Sequence, residues 1–139
     1  MIKQIFVNVS VKDLNKSIAF FTQLGFTFNQ QFTNENATCM ILSDNIMVML
    51  LVQPFFKSFI KKEICDTTTA NEAILCLGVN SRKEVDDMIK NAAAAGGKIL
   101  EEPQDHGWMY GQSFADLDGH LWEITYIDAA AVPENPGGN

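Results

Sequence analysis

The chain reads as one pattern written twice, and a duplication of this length restricts its fold more than any other feature. Near the start, the alternating stretch Ile5-Phe6-Val7-Asn8-Val9-Ser10-Val11 leads into a helical segment that closes on Leu24-Gly25-Phe26. Later, Ile74-Leu75-Cys76-Leu77-Gly78-Val79 leads into a second helical segment that closes on Ala95-Gly96-Gly97. Several stretches of strand character follow each strand-helix pair. Repetition on this scale implies two similar β-rich modules side by side. The seam between such modules is a natural place for a small-molecule cavity.

Within the first module, Asp13 is a good helix N-cap. Leu14, Ile18, Phe20, Phe21 and Leu24 are spaced to give a wide apolar stripe. A short strand and its return are expected between Asn29 and Leu42, around the polar turn Asn34-Glu35-Asn36. The dense apolar run from Ile46 to Val52 predicts a buried strand, ended by Pro54. In the second module, Ser81-Arg82-Lys83-Glu84 has capping-box spacing, with Val85, Met88, Ile89 and Ala92 on the buried side of the helix. A short strand over 98–101, a loop over 103–111, and strands over 112–115 and 120–127 should follow. Asp118-Gly119 favours a tight hairpin between the last two.

Phe55, Phe56, Phe59, Ile60 and Ile64 alternate with lysines and predict a short amphipathic helix over 55–64. It would pack on the sheet or on a partner subunit, or form a mobile flap over the cavity. The organisation is therefore a first module over 1–53, a connection over 54–71, a second module over 72–128 and a flexible tail over 129–139, all in one structural domain.

Composition narrows the function. A net charge of −7 without a basic stripe argues against nucleic-acid binding. No apolar run reaches the roughly 20 residues of a membrane span. Met1-Ile2-Lys3-Gln4 passes straight into strand sequence, so no secretory leader is read. Three dispersed cysteines, Cys39, Cys65 and Cys76, read as reduced thiols of a cytoplasmic protein.

Paired βαβββ modules marked by Asp13-Leu14, Phe20-Phe21, Leu24-Gly25-Phe26 and Asp116-x-Asp118-Gly119 leading to Glu123 resemble the vicinal oxygen chelate superfamily. That group includes glyoxalase I, extradiol dioxygenases and bleomycin-resistance proteins. The resemblance covers Ile5 to Tyr126, especially to a bacterial glyoxalase-like branch. It implies an α+β fold in which two βαβββ modules form a curved mixed sheet around a central cavity, and a homodimer. Metal-dependent members hold a divalent cation with four side chains, at positions that fall here on Phe6, Met49, Ile74 and Glu123. Phenyl and alkyl groups donate no electron pair, and a thioether favours soft metals. No metal and no cofactor are expected.

By strand alternation, Phe6, Asn8, Met49, Ile74, Cys76 and Glu123 share the faces that would line the cavity. Trp108 and Tyr110 would stack a planar ligand at its mouth. Glu123, with a pKa raised by apolar surroundings, and His106 are the candidate catalytic residues. His120 reads as an exposed polar residue, Trp122 as core, and Cys76 as a buried inert thiol. The first functional expectation is binding of a small organic molecule in a largely apolar, metal-free cavity, for which bleomycin-resistance proteins are the precedent. The alternatives are a lyase or isomerase of the same superfamily using Glu123, with or without a metal, and a vestigial site with a role in subunit or partner contacts.

Overall fold

β-Branched residues at every second position, Ile5, Val7, Val9 and Val11, make Ile5–Val11 the first strand, β1. Asp13 then starts helix α1 (Leu14–Gln23), its carboxylate accepting from the Lys16 backbone N–H at 3.1 Å. The helix stops because Gly25 takes φ 99°, a left-handed conformation open to glycine without a side-chain clash. Phe26 N–H donates back to the Phe21 carbonyl at 3.1 Å and Gly25 N–H to that of Thr22 at 3.0 Å. The Phe21 and Phe26 rings meet edge to face across this Schellman turn, 6.2 Å apart. After α1 come β2 (Thr27–Asn29), β3 (Ala37–Ser43) and β4 (Ile46–Val52). The sheet order is β1-β4-β3-β2, with β1 parallel to β4 and the other pairs antiparallel.

Beyond the short helix α2 (Gln53–Lys57), the design recurs. The elements are β5 (Ile74–Val79), α3 (Arg82–Ala94), β6 (Lys98–Ile99), β7 (Gln104–Asp105), β8 (Met109–Ala115) and β9 (Leu121–Ile127). Their order is β5-β9-β8-β6, again with the first and last strands parallel, and β7 also pairs with β8. Helix α3 ends as α1 does, with Gly96 at φ 105° and Gly97 N–H donating to the Ala92 carbonyl at 2.9 Å. This computed structural model describes residues 1–135. The chain divides into two compact units, Met1–Ala70 and a second beginning at Asn71, so all of the connection but Asn71 groups with the first.

In each unit the sheet face that meets the long helix is buried. In the first, Val9, Val11, Met40, Val48 and Leu50 lie buried, as do Leu14, Phe20 and Phe21 of α1. In the second, Phe114, Trp122 and Ile124 share the side of the sheet that packs on α3, whose Val85, Ile89 and Ala92 are buried. Each large side chain so buried contributes about 1.5–3 kcal/mol. Trp122 and Phe114 stack at 6.4 Å with planes 5° apart. The Trp122 indole N–H donates to Asp116 Oδ2 at 2.9 Å. The other oxygen of Asp116 accepts the backbone N–H groups of Asp118 at 2.9 Å and His120 at 3.0 Å. Burial pushes the Asp116 carboxyl above its ordinary value, and His120 and these hydrogen bonds pull against that shift.

Several local expectations change. The strand expected from Asn29 lies earlier, over Thr27–Asn29, and Gln30–Phe32 forms a 3-10 turn held by the Asn29 side chain. The helix expected over 55–64 is only Gln53–Lys57; beyond it Ser58, Phe59 and Ile60 bond three residues back, and the coil tightens into turns. The loop expected over 103–111 contains β7 and the first residues of β8, because both strands find partners across a turn at Gly107. In the capping box Ser81 Oγ accepts from Glu84 N–H at 3.1 Å, but Glu84 reaches one residue further back, to Asn80 N–H at 2.6 Å. Of the tail, Ala129–Ala131 form a 3-10 turn capped by Asp128, and residues 136–139 lie outside the described region.

Two stability predictions follow from these contacts. Gly25→Ala meets no atom within 4 Å, so only the backbone conformation opposes it; urea denaturation should show a loss of about 1–2 kcal/mol. Asp116→Asn must turn an amide N–H toward either the Trp122 indole or the two backbone donors. It should lose about 1–3 kcal/mol in the same assay.

Candidate ligand-binding site

The strand registers define matching positions in the two units. Phe6 and Ile74 each stand seven residues ahead of a helix cap, Asp13 and Ser81. Phe6 pairs with Met47 and Ile74 with Leu121; two residues along, Asn8 sits beside Met49 and Cys76 beside Glu123. Met49 and Glu123 are therefore counterparts, as are Asn8 and Cys76. Phe6, Asn8 and Met49 lie on the face of their sheet opposite α1, and Ile74, Cys76 and Glu123 on the face opposite α3.

This donor set does not fit the divalent cation that the resemblance implies. Phe6 is 51% exposed and Ile74 58% exposed, and neither offers a lone pair. Met49 offers only a soft thioether, which leaves Glu123 as the one hard donor. Among the described residues, no three side chains of His, Cys, Asp or Glu come together in a way that would hold an ion.

In the first unit, Asn8 and Leu51 lie two residues along from Phe6 and Met49 on the same strand faces. Helix α2 packs against β1 and β4, and Phe56, Phe59 and Ile60 stand over Asn8 and Leu51. The result is a groove of about 400 Å³. Four of its five lining side chains are hydrocarbon, and the fifth is the Asn8 amide. Phe59 is held edge to face by Phe55 at 5.0 Å.

The second unit presents a different surface. Glu123 lies in a cleft of about 70 Å³ with Glu101, Glu102, Gln104, Ser113 and Thr125. That space admits a few waters rather than a metabolite. Within this unit the lining around Glu123 is mainly polar and acidic, with the Met109 thioether as its one large apolar side chain. Gly111 backs the cleft, and a methyl group there would come within 3.1 Å of Ile124 O and Thr125 Oγ1. Cys76 is exposed rather than buried, with its Sγ 3.4 Å from Thr125 Oγ1.

The aromatic segment between β7 and β8 has its own architecture. Asp105 takes Arg82 in a two-pronged ion pair at 2.7 and 2.9 Å and also accepts Gly107 N–H at 2.9 Å. The Arg82 hydrogen bond, then the Gly107 one, hold the Asp105 carboxyl down at about 2. Because that value is depressed, the clamp's contribution is present above the ordinary carboxylate range and is lost as pH falls toward about 2. Arg82 also lies 4.8 Å over the Tyr110 ring, and the Tyr110 hydroxyl donates to Asp86 at 2.6 Å. Tyr110 pairs with Tyr126, one residue out of phase with Glu123, and so occupies the opposite sheet face. His106 stacks on Trp108 at 6.3 Å in the exposed turn.

Three features escaped sequence reasoning. Nothing local ties Arg82 to Asp105, which are 23 residues apart. Glu101 and Glu102 were legible only as strand-end polar residues. His120, expected to be exposed, is 4% exposed, with Nδ1 2.8 Å from Glu72 Oε1. That long-range partner helps make the burial tolerable.

Comparison with known proteins agrees with this geometry. The sequence profile of the Glyoxalase/Bleomycin resistance protein/Dioxygenase superfamily matches residues 3–124. Hypothetical protein SA1046 from S. aureus is 31% identical over 91% of this chain and 94% of its own, with a TM-score of 0.77. A glyoxalase-related enzyme from Fulvimarina pelagi is 20% identical, covering 89% of this chain and 88% of its own, with a TM-score of 0.76. A glyoxalase/bleomycin resistance protein/dioxygenase family enzyme from Burkholderia phytofirmans PsJN is 16% identical over 88% of this chain and 96% of its own, at a TM-score of 0.73. No curated protein matches. Profile, register and paired βαβββ topology together make the chain a member of the glyoxalase/bleomycin resistance protein/dioxygenase superfamily.

Proposed function

We propose that the protein binds a small, largely apolar organic molecule, without a metal, in the groove of its first unit. The observation that carries this reading is the groove of about 400 Å³ lined by Leu51, Phe56, Phe59, Ile60 and Asn8. Its size falls in the range of about 300–1,000 Å³ usual for small-molecule sites, and its lining of mostly apolar walls with one polar group is the usual composition. Phe6 and Met49 extend the same apolar surface. The three free thiols accord with a reducing, cytoplasmic setting, and a homodimer is part of the proposal.

A second reading, a lyase or isomerase centred on Glu123, is favoured by one observation. Its carboxylate opens into a polar cleft where Ser113 and Thr125 stand within the same lining. The small volume of that cleft ranks it below the apolar groove. In a third reading the site is vestigial, and the exposed Phe59 serves a partner contact instead.

N-phenyl-1-naphthylamine, an uncharged dye that fluoresces in apolar surroundings, tests the first reading. It should bind saturably at one site per chain, and Phe59→Glu should weaken it at least tenfold, because a carboxylate would be desolvated against the ligand. No saturable signal, or a signal untouched by both Phe59→Glu and Phe56→Glu, would end the groove reading in favour of the vestigial one. Calorimetry with nickel, zinc and manganese should show no tight stoichiometric site. A tight site lost in Glu123→Ala would transfer the function to the second unit.

A further inference from the structure

The groove contains one polar side chain, and that side chain is oriented. Asn8 Nδ2 donates to the Phe6 carbonyl at 3.2 Å. A carbonyl only accepts, so the amide cannot flip without losing this bond. Asn8 Oδ1 is thereby left as the acceptor, and it takes no hydrogen bond from any described residue. The other four lining side chains, Leu51, Phe56, Phe59 and Ile60, offer no charge, donor or acceptor.

We propose that the groove selects an uncharged, flat aromatic molecule carrying one N–H or O–H donor, and that Asn8 Oδ1 is the atom that recognises that donor. This rests on the groove reading above and adds the ligand class. The aromatic walls favour a flat ring, which stacks or meets them edge-on. A charged ligand is disfavoured, because it would shed water with no opposite charge to replace it. A ligand with acceptors alone would set its lone pairs against those of Oδ1. A neutral hydrogen bond of ordinary strength converts to about a three- to tenfold preference.

The test compares naphthalene, 2-methoxynaphthalene and 2-naphthol by displacement of N-phenyl-1-naphthylamine. The wild-type chain should bind 2-naphthol about three- to tenfold more tightly than either analogue without a donor. In Asn8→Ala and Asn8→Leu that ratio should fall to about one. Equal binding of all three by the wild type, or a preference that persists in both variants, overturns the role of Asn8 and leaves the groove reading standing. If neither the dye nor any of the three binds, the groove reading falls and the ligand class falls with it.

Discussion

Each unit depends on the parallel pairing of its first strand with its last. A parallel neighbour cannot be reached through a tight hairpin, so the chain must cross over before it returns. Here the crossing carries a helix and the middle strands, which places α1 or α3 on one face of its sheet and leaves the other face free of that helix. The pairing also fixes register. A slip of one residue along β1 against β4 would exchange Val9 and Val11 for Asn8 and Ser10 on the side that packs on α1. The buried valines, Leu50 and Met40 hold the register, and the register decides which residues face outward.

The two faces opposite α1 and α3 have diverged on a common frame. Matching positions carry Met49 in one unit and Glu123 in the other, and Asn8 in one where Cys76 stands in the other. Beside Asn8 lie the rings of Phe56 and Phe59; beside Glu123 lie Glu101 and Glu102. The same backbone thus supports an apolar groove and a polar cleft, with chemistry set by a few outward side chains. Family membership fixes the frame and leaves the function to those side chains.

Much of the frame was legible because its signals are local. The alternation of Ile5–Val11, the apolar run of Ile46–Val52, and the caps Asp13 and Ser81 all act within a turn or two of where they are read. The glycines closing both helices act locally as well. What escaped depends on partners distant in sequence. Gln104-Asp105 becomes a strand only because β8 lies beside it, and His120 is buried because Glu72, 48 residues earlier, meets its ring. The aromatic run after Pro54 has the composition of a longer helix, yet its backbone bonds tighten after Lys57. For the candidate site, alternation correctly set Phe6, Asn8 and Met49 on one face, and Ile74, Cys76 and Glu123 on another. Alternation could not show that Tyr110 belongs to the α3 side, since the start of β8 was not recognisable.

The division into units also has an optical consequence. Both tryptophans, Trp108 and Trp122, and both tyrosines, Tyr110 and Tyr126, lie after Asn71. Ultraviolet emission from the unliganded chain therefore reports on the second unit, with Trp122 as its interior chromophore, while the first unit contributes only phenylalanine. Circular dichroism of the amide backbone sees both. Any disagreement between the two spectroscopies during unfolding would reveal whether the halves melt in concert or in sequence.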